Sequence, residues 1–274
     1  MLHKLFKHVA PVAAIALSAA LAGCGDVDID INGETGVPLA ELDMSDGAPT
    51  ELVLAGPDKV IVEDGNALDI DVSGDAEAVD LVRFTLKDGT LGVLREKGSW
   101  KDTGHAVIRV TMPAPKSITI AGSGSVEAAN MAEDAEINIV GSGSLNVSEL
   151  KAAKADVTVA GSGSITASGS ADRLDLNIVG SGNADLEGVQ VERADVTVAG
   201  SGDATFASDG KIDATILGAG TVRVIGRATC EVSSMGSGKV ICETKVDAKE
   251  QAKAETKKGK KQAAKKPAKK SRKA

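Results

Sequence analysis

Three cysteines, one histidine beyond the first ten residues and a regularly spaced row of carboxylates carry what chemistry this 274-residue chain can offer. Cys230 and Cys242 stand six before and six after Gly236, at positions expected to face inward from strands flanking one corner. In an oxidising compartment a disulfide there would close a short loop and contribute about 3 kcal/mol. Opposed sheets lie ~10 Å apart and a disulfide needs Cα atoms within about 7 Å, so the coil must pinch; two free buried thiols are the alternative. The carboxylates Glu136, Asp156, Asp175, Asp195, Asp213 and Glu231 recur on one outward face, beside a row of Thr, Asn and Ser running from Thr119 to Ser233. Like charges ~4.8 Å apart repel by roughly 1 kcal/mol per solvated pair, which weak Ca²⁺ binding would relieve. A single file of carboxylates rarely supplies the roughly six oxygens calcium takes, so a solubilising face is the plainer reading. Asp28-Ile29-Asp30-Ile31-Asn32-Gly33 echoes the start of a calcium loop, yet Leu39 stands at the twelfth position where a glutamate is required.

The loop from Arg95 to Gly104, ending at His105, is locally basic and holds the sole tryptophan. Lys97, Trp100, Lys101 and His105 form a possible ligand loop for an anionic sugar or lipid; a long turn with a packed Trp is the alternative. One histidine leaves little material for a catalytic triad, and no cluster of Asp, Arg and Lys stands out from the repeat. The sequence therefore reads as non-enzymatic, with no catalytic residue, cofactor or resident metal site.

The third cysteine belongs to an address. Lys4 and Lys7 precede an apolar run from Val9 to Leu21, which ends in Leu21-Ala22-Gly23-Cys24. The run is too short to span a bilayer and reads as an export signal over residues 1–23. The final four residues resemble the bacterial lipobox, which implies cleavage before Cys24, a diacylglycerol on its thiol and an acyl chain such as palmitate on its new amino group. Two or more chains anchor firmly, because each buried methylene contributes about 0.8 kcal/mol. Gly25, where an aspartate would imply inner-membrane retention, points to the outer membrane; Asp26 one place on weakens that assignment.

Positioning falls to a repeat. Gly-Ser-Gly, once Gly-Ala-Gly, begins at Gly122, Gly141, Gly161, Gly180, Gly200, Gly218 and Gly236, spaced 19, 20, 19, 20, 18 and 18. Each glycine pair is flanked by period-two alternation, as in Asp156-Val157-Thr158-Val159, which means strands with one face buried. Aligned on the first glycine, Ile118, Ile137, Val157, Leu176 and Val196 share one inward column, and Ile120, Ile139, Val159, Ile178 and Val198 another. A unit this short cannot bury its apolar face alone, so successive units must stack as a parallel β-helix. Shorter strand-like runs between about Glu51 and Pro115, punctuated by Asp64-Gly65 and Asp88-Gly89, read as irregular opening coils that also cap one end, giving about ten coils in all.

Composition agrees. With 42% apolar residues but only three Phe, one Trp and no Tyr, the core must be aliphatic, and aromatic stacking of single-stranded nucleic acid or sugars is disfavoured. The net charge of −8 hides a division. Residues 245–274 carry 13 Lys and Arg against three acids, a balance of +10, while residues 24–244 stand at −20. Such a Lys/Ala-rich tail cannot build a core and reads as disordered, available to anionic envelope polymers but specific for no nucleic acid. The organisation expected is signal 1–23, acidic linker 24–49, β-helix 50–244 and tail 245–274.

The runs Leu86-Lys87-Asp88-Gly89-Thr90-Leu91, Val110-Thr111-Met112-Pro113 and Ile118-Thr119-Ile120-Ala121-Gly122-Ser123-Gly124-Ser125-Val126 resemble the GIN domain, described as an auto-transporter adhesin head. The resemblance covers about residues 50–244 and implies a right-handed β-helix, export to the bacterial envelope and no catalytic residues. Neither a coiled-coil stalk nor a membrane barrel is visible, so the lipid would serve as anchor. The expected function is a non-catalytic envelope protein in adhesion or surface scaffolding; the alternative is an enzyme or lectin acting on acidic polysaccharide.

Overall fold

A computed structural model describes residues 15–17, 29–45, 47–96 and 103–243. The chain winds into a β-solenoid of about seven turns, those marked by the glycine corners. The strand Ser144–Gly161 shows how one turn is built. Leu145, Val147, Leu150, Ala152, Ala155, Val157 and Val159 are buried, and outward doublets at 148–149 and 153–154 break their alternation. Each doublet is a bend and the glycine pair is a third, so the cross-section is three-sided. Successive turns pair in parallel and in register: Val157 lies between Ile137 and Leu176, and Gly161 between Gly141 and Gly180. Identical columns therefore stack into aliphatic ladders, and each side chain fully buried contributes about 1.5–3 kcal/mol.

The two glycines of a corner are required for different reasons. Gly161 has φ +120°, and a Cβ there would lie 2.5 Å from the Gly141 carbonyl oxygen. A Cβ on Gly163 would instead meet the Ile139 Cγ2 at 2.5 Å. The first demands a backbone conformation L-residues avoid; the second demands room against the core of the turn beneath.

The expectation of about ten successive coils is corrected in count and order. Strand Glu51–Gly56 lies between Thr90–Arg95 and Ser117–Gly122, and Lys59–Asp64 lies between Ala106–Met112 and Ser125–Asn130. The chain thus lays down an inner rung first, moves outward, and returns over it before the regular turns begin. Outermost are two antiparallel strands, Asp69–Gly74 and Val82–Lys87, joined by helix Ala76–Leu81. The reversal at Asp88-Gly89 has φ of 52° and 76°, positive at both residues as a two-residue hairpin turn requires. Those hairpin residues turn the chain back, so the opening strands make two stacked rungs and a lid, not three further coils. Phe84 and Ala78 of that lid are buried together with Met112, and Leu39 and Leu42 pack against the same core.

Part of the expected acidic linker is bound to the body. Ile31 packs on Val53, Ala55 and Leu94, and Val37 exchanges backbone hydrogen bonds with Phe84 at 2.9 and 2.8 Å. Ile29–Ile31 also pairs antiparallel with Ile15–Leu17, inside the expected signal segment. The far end differs. In the last rung, Thr229–Gly236 and Lys239–Glu243, the column residue Val232 is 52% exposed.

Candidate binding face

The side leading into the glycine corner presents four outward rows, two residues apart along each strand. Nearest the corner is an apolar row: Leu94, Ala55, Ala121, Val140, Ala160, Val179, Ala199, Leu217 and Met235 occupy equivalent positions on successive rungs. Ile31 covers the first members, whereas Val140, Val179, Leu217 and Met235 are 44–71% exposed. Most of the large apolar side chains exposed among the described residues fall on this one line. Apolar residues scattered singly need no explanation, but these recur along one line of the surface. Next come the Thr and Asn positions, then the carboxylates, and finally a row of bases that the sequence reading did not single out.

Those bases change the electrostatics. Lys154, Arg173 and Lys211 each stand two residues before a carboxylate, so each points outward beside it. Lys154 Nζ lies 2.5 Å from Asp156 and 4.0 Å from Asp175. Arg173 meets Asp175 at 3.0 Å and Asp195 of the next turn at 2.6 Å; Lys211 meets Asp213 at 3.5 Å and Glu231 at 3.3 Å. Each base bridges its own rung and the next. Hydrogen bonding to Asp156 holds the Lys154 ammonium above its ordinary range, as Asp175 does for Arg173 and Glu231 for Lys211. Burial pushes the Asp175 carboxyl up, but hydrogen bonds and charge from Arg173, with Asp156 and Lys154, outweigh it and hold it below the usual range. At Asp195 burial wins, joined by the like charges of Asp175 and Asp213, and its carboxyl stays above that range despite Arg173. The relief that a divalent cation would give the carboxylate file is thus largely supplied by the protein. Among the described residues no group of three or more His, Cys, Asp or Glu side chains is placed to hold a metal ion. The signal for this ladder was present in the alternation Lys154-Ala-Asp156, Arg173-Leu-Asp175, Lys211-Ile-Asp213.

Of the possible ligand loop, Lys97, Trp100 and Lys101 lie outside the described residues, as do Cys24 and the tail. The loop interrupts a rung where the regular turns have Gly-Ser-Gly, and its base is fixed. Arg95 donates to Asp58 at 2.7 and 2.5 Å, to Thr103 at 2.7 Å and to the Gly104 carbonyl at 2.8 Å. His105 is exposed, and its backbone N–H donates to Asp75 at 2.9 Å. A shallow cavity of about 310 Å³ opens here, lined by Asp75, Ala76, Glu77, Thr103 and Gly104. Among the described residues its lining carries two carboxylates, Asp75 and Glu77. Cys230 and Cys242 are joined by a disulfide with Cα atoms 6.9 Å apart.

The family model described as "Putative auto-transporter adhesin, head GIN domain" matches residues 48–228. No curated protein matches the sequence. Among solved structures, a putative adhesin from Bacteroides fragilis superposes with a TM-score of 0.64 at 22% identity, covering 71% of this chain and 92% of that one. A putative lipid binding protein from Parabacteroides distasonis gives 0.55 at 22% identity with the same coverages. A putative adhesin from Parabacteroides merdae gives 0.54 at 19%, covering 71% and 91%. At these identities the likeness is one of fold.

Proposed function

This chain belongs to the GIN-domain family, and on that premise we propose that it is a lipid-anchored, non-catalytic component of the bacterial envelope that adheres through its graded face. The observation that carries the reading is the exposed line from Val140 to Met235, backed by the Thr and Asn row on a rigid three-sided shaft. A surface of this kind makes many weak, repeated contacts and suits a long or repetitive partner. Ile31 supplies the precedent within the molecule, because an aliphatic side chain on an extended segment already occupies the covered end of the line. Acylation of Cys24 supplies the tether, with the outer membrane as its site, and the basic tail adds attraction to anionic envelope polymers that salt weakens.

Two substitutions test the two halves. Cys24→Ala is expected to move the protein from the membrane fraction to the soluble envelope fraction; continued membrane association defeats the lipid anchor. Replacing Val140 and Val179 together by Asp is expected to abolish adhesion of expressing cells while leaving the far-UV spectrum unchanged. Undiminished adhesion shows that the contact lies elsewhere.

A further inference from the structure

The two ends of the solenoid are finished differently. At the first, Val82, Phe84 and Ile70 of the antiparallel lid are buried, and the outer strand Asp69–Gly74 carries Asp69 and Asp71. At the second, Thr229–Gly236 pairs only with the turn beneath it and Lys239–Glu243 likewise, so their outer edges have no strand partner among the described residues. The core columns surface there: Val232 and Ser234 point along the inward side yet are exposed. Solenoids need a polar terminal repeat, and exposed edge strands are normally blunted by lysine, proline or a bulge. The eight residues of Thr229–Gly236 include one charge, Glu231, and no proline. The edge is also stiffened, since the Cys230–Cys242 disulfide ties its two strands across the Gly236 corner. A rigid edge loses little conformational freedom on docking.

We propose that this open end is a self-association surface, on which two copies meet end to end as a two-fold dimer with their Thr229–Gly236 strands paired antiparallel. The exposed object is a whole three-sided cross-section, and a second solenoid end matches it, whereas a single extended peptide would cover one side. The chain's own continuation from Lys245 is poor in the β-branched and aromatic residues that complete a sheet and carries thirteen bases. Pairing about Ser233 sets inward Val232 against Ser234 of the second copy and outward Glu231 against its Met235, so the two glutamates do not meet. Because the lidded end offers no matching core, association closes at two copies and does not propagate into a fibre. With nine stacked rungs, seven regular and two from the opening segment, each shaft is roughly 43 Å long at ~4.8 Å per rung. The two Ile29–Ile31 segments, packed near the lidded ends, lie at opposite ends of such a dimer, which suits the joining of two membranes if the lipid anchor proposed above holds.

The test is sedimentation equilibrium on the purified chain carrying Cys24→Ser, which removes any dependence on the anchor. A dimer is expected that gains no further copies as concentration rises. Val232→Lys and Ser234→Lys, each placing an ammonium on the core side of the edge, are expected to weaken it by about tenfold or more. Their circular dichroism and unfolding midpoint, measured dilute, should match the parent, which separates lost association from lost folding. A photo-crosslinker at Ser233 should join two copies through residues 229–243. A chain that stays monomeric at about 100 μM, a dimer indifferent to both lysines, or a crosslink to residues 245–274 of the same copy overturns the proposal.

Discussion

The guanidinium of Arg95 grips the carboxylate of Asp58 with two hydrogen bonds, Nε to Oδ2 at 2.7 Å and Nη2 to Oδ1 at 2.5 Å, and neither side chain reaches solvent. The pair joins two rungs that are distant in sequence, and Asp58 also accepts from the backbone N–H of Ala106 at 2.8 Å. Removing one partner strands a buried charge. Asp58→Ala and Arg95→Ala are each expected to cost about 3–5 kcal/mol in urea unfolding, whereas Asp58→Leu with Arg95→Met should cost less than either alone. A double variant as damaged as the singles would mean that the hydrogen bonds to Ala106, Thr103 and Gly104 matter more than the ion pair.

The corner glycines predict a contrast at neighbouring positions. Gly163→Ala would drive a methyl against Ile139 at 2.5 Å and is expected to cost about 1–3 kcal/mol, as overpacked cores do. Ser162→Ala between the same glycines should be nearly neutral, because Ser162 is exposed and Ala219 already stands at the equivalent place three turns further on. Thermal unfolding of the two variants decides it, and equal losses would refute the stacking argument.

The acid–base ladder predicts opposite signs for two adjacent carboxylates. Asp175 is held below its ordinary range, so its charged form stabilises the fold above the unfolded value, and that contribution fades as pH falls through the folded one. Asp195 is held above its ordinary range, so its charged form works against the fold, and stability gains as pH falls through the raised value. Both are partly exposed and screened. Asp175→Asn should therefore lower stability at neutral pH by at most about 1 kcal/mol, less so near pH 3, while Asp195→Asn should be neutral or slightly stabilising. Unfolding midpoints at the two pH values check both signs.

How much of this was legible follows from which residues repeat. Columns such as Ile118, Ile137 and Val157 recur at one offset from a glycine, and in a stacked solenoid offset alone sets direction, so core, corners and carboxylate file could be read directly. The bases are less regular, because Pro115, Asp134 and Thr229 stand at the same offset as Lys154, Arg173 and Lys211. The opening segment was illegible for a physical reason: period-two alternation identifies a strand without giving its direction or its layer. Leu52 and Leu91 look alike in sequence, yet the later strand lies outside the earlier one. Ile31 likewise looked like linker, since burial on Val53 and Leu94 comes from contacts distant in sequence.

The disulfide leads to the last prediction. Cys230 and Cys242 close a loop with a sequence separation of 12, for which the chain-entropy model gives about 3 kcal/mol. That stabilisation belongs to the terminal rung, because Val232 and Met235 bury little and contribute little of their own. Reduction, or Cys230→Ser with Cys242→Ser, should therefore release residues 229–243 without unfolding the turns beneath, whose ladders from Ile118 to Ile216 are complete. Hydrogen exchange should show protection lost in Thr229–Glu243 and retained in Ser144–Gly161. Loss of protection along the whole shaft would mean that the solenoid unfolds as one cooperative unit and that the bond guards all of it.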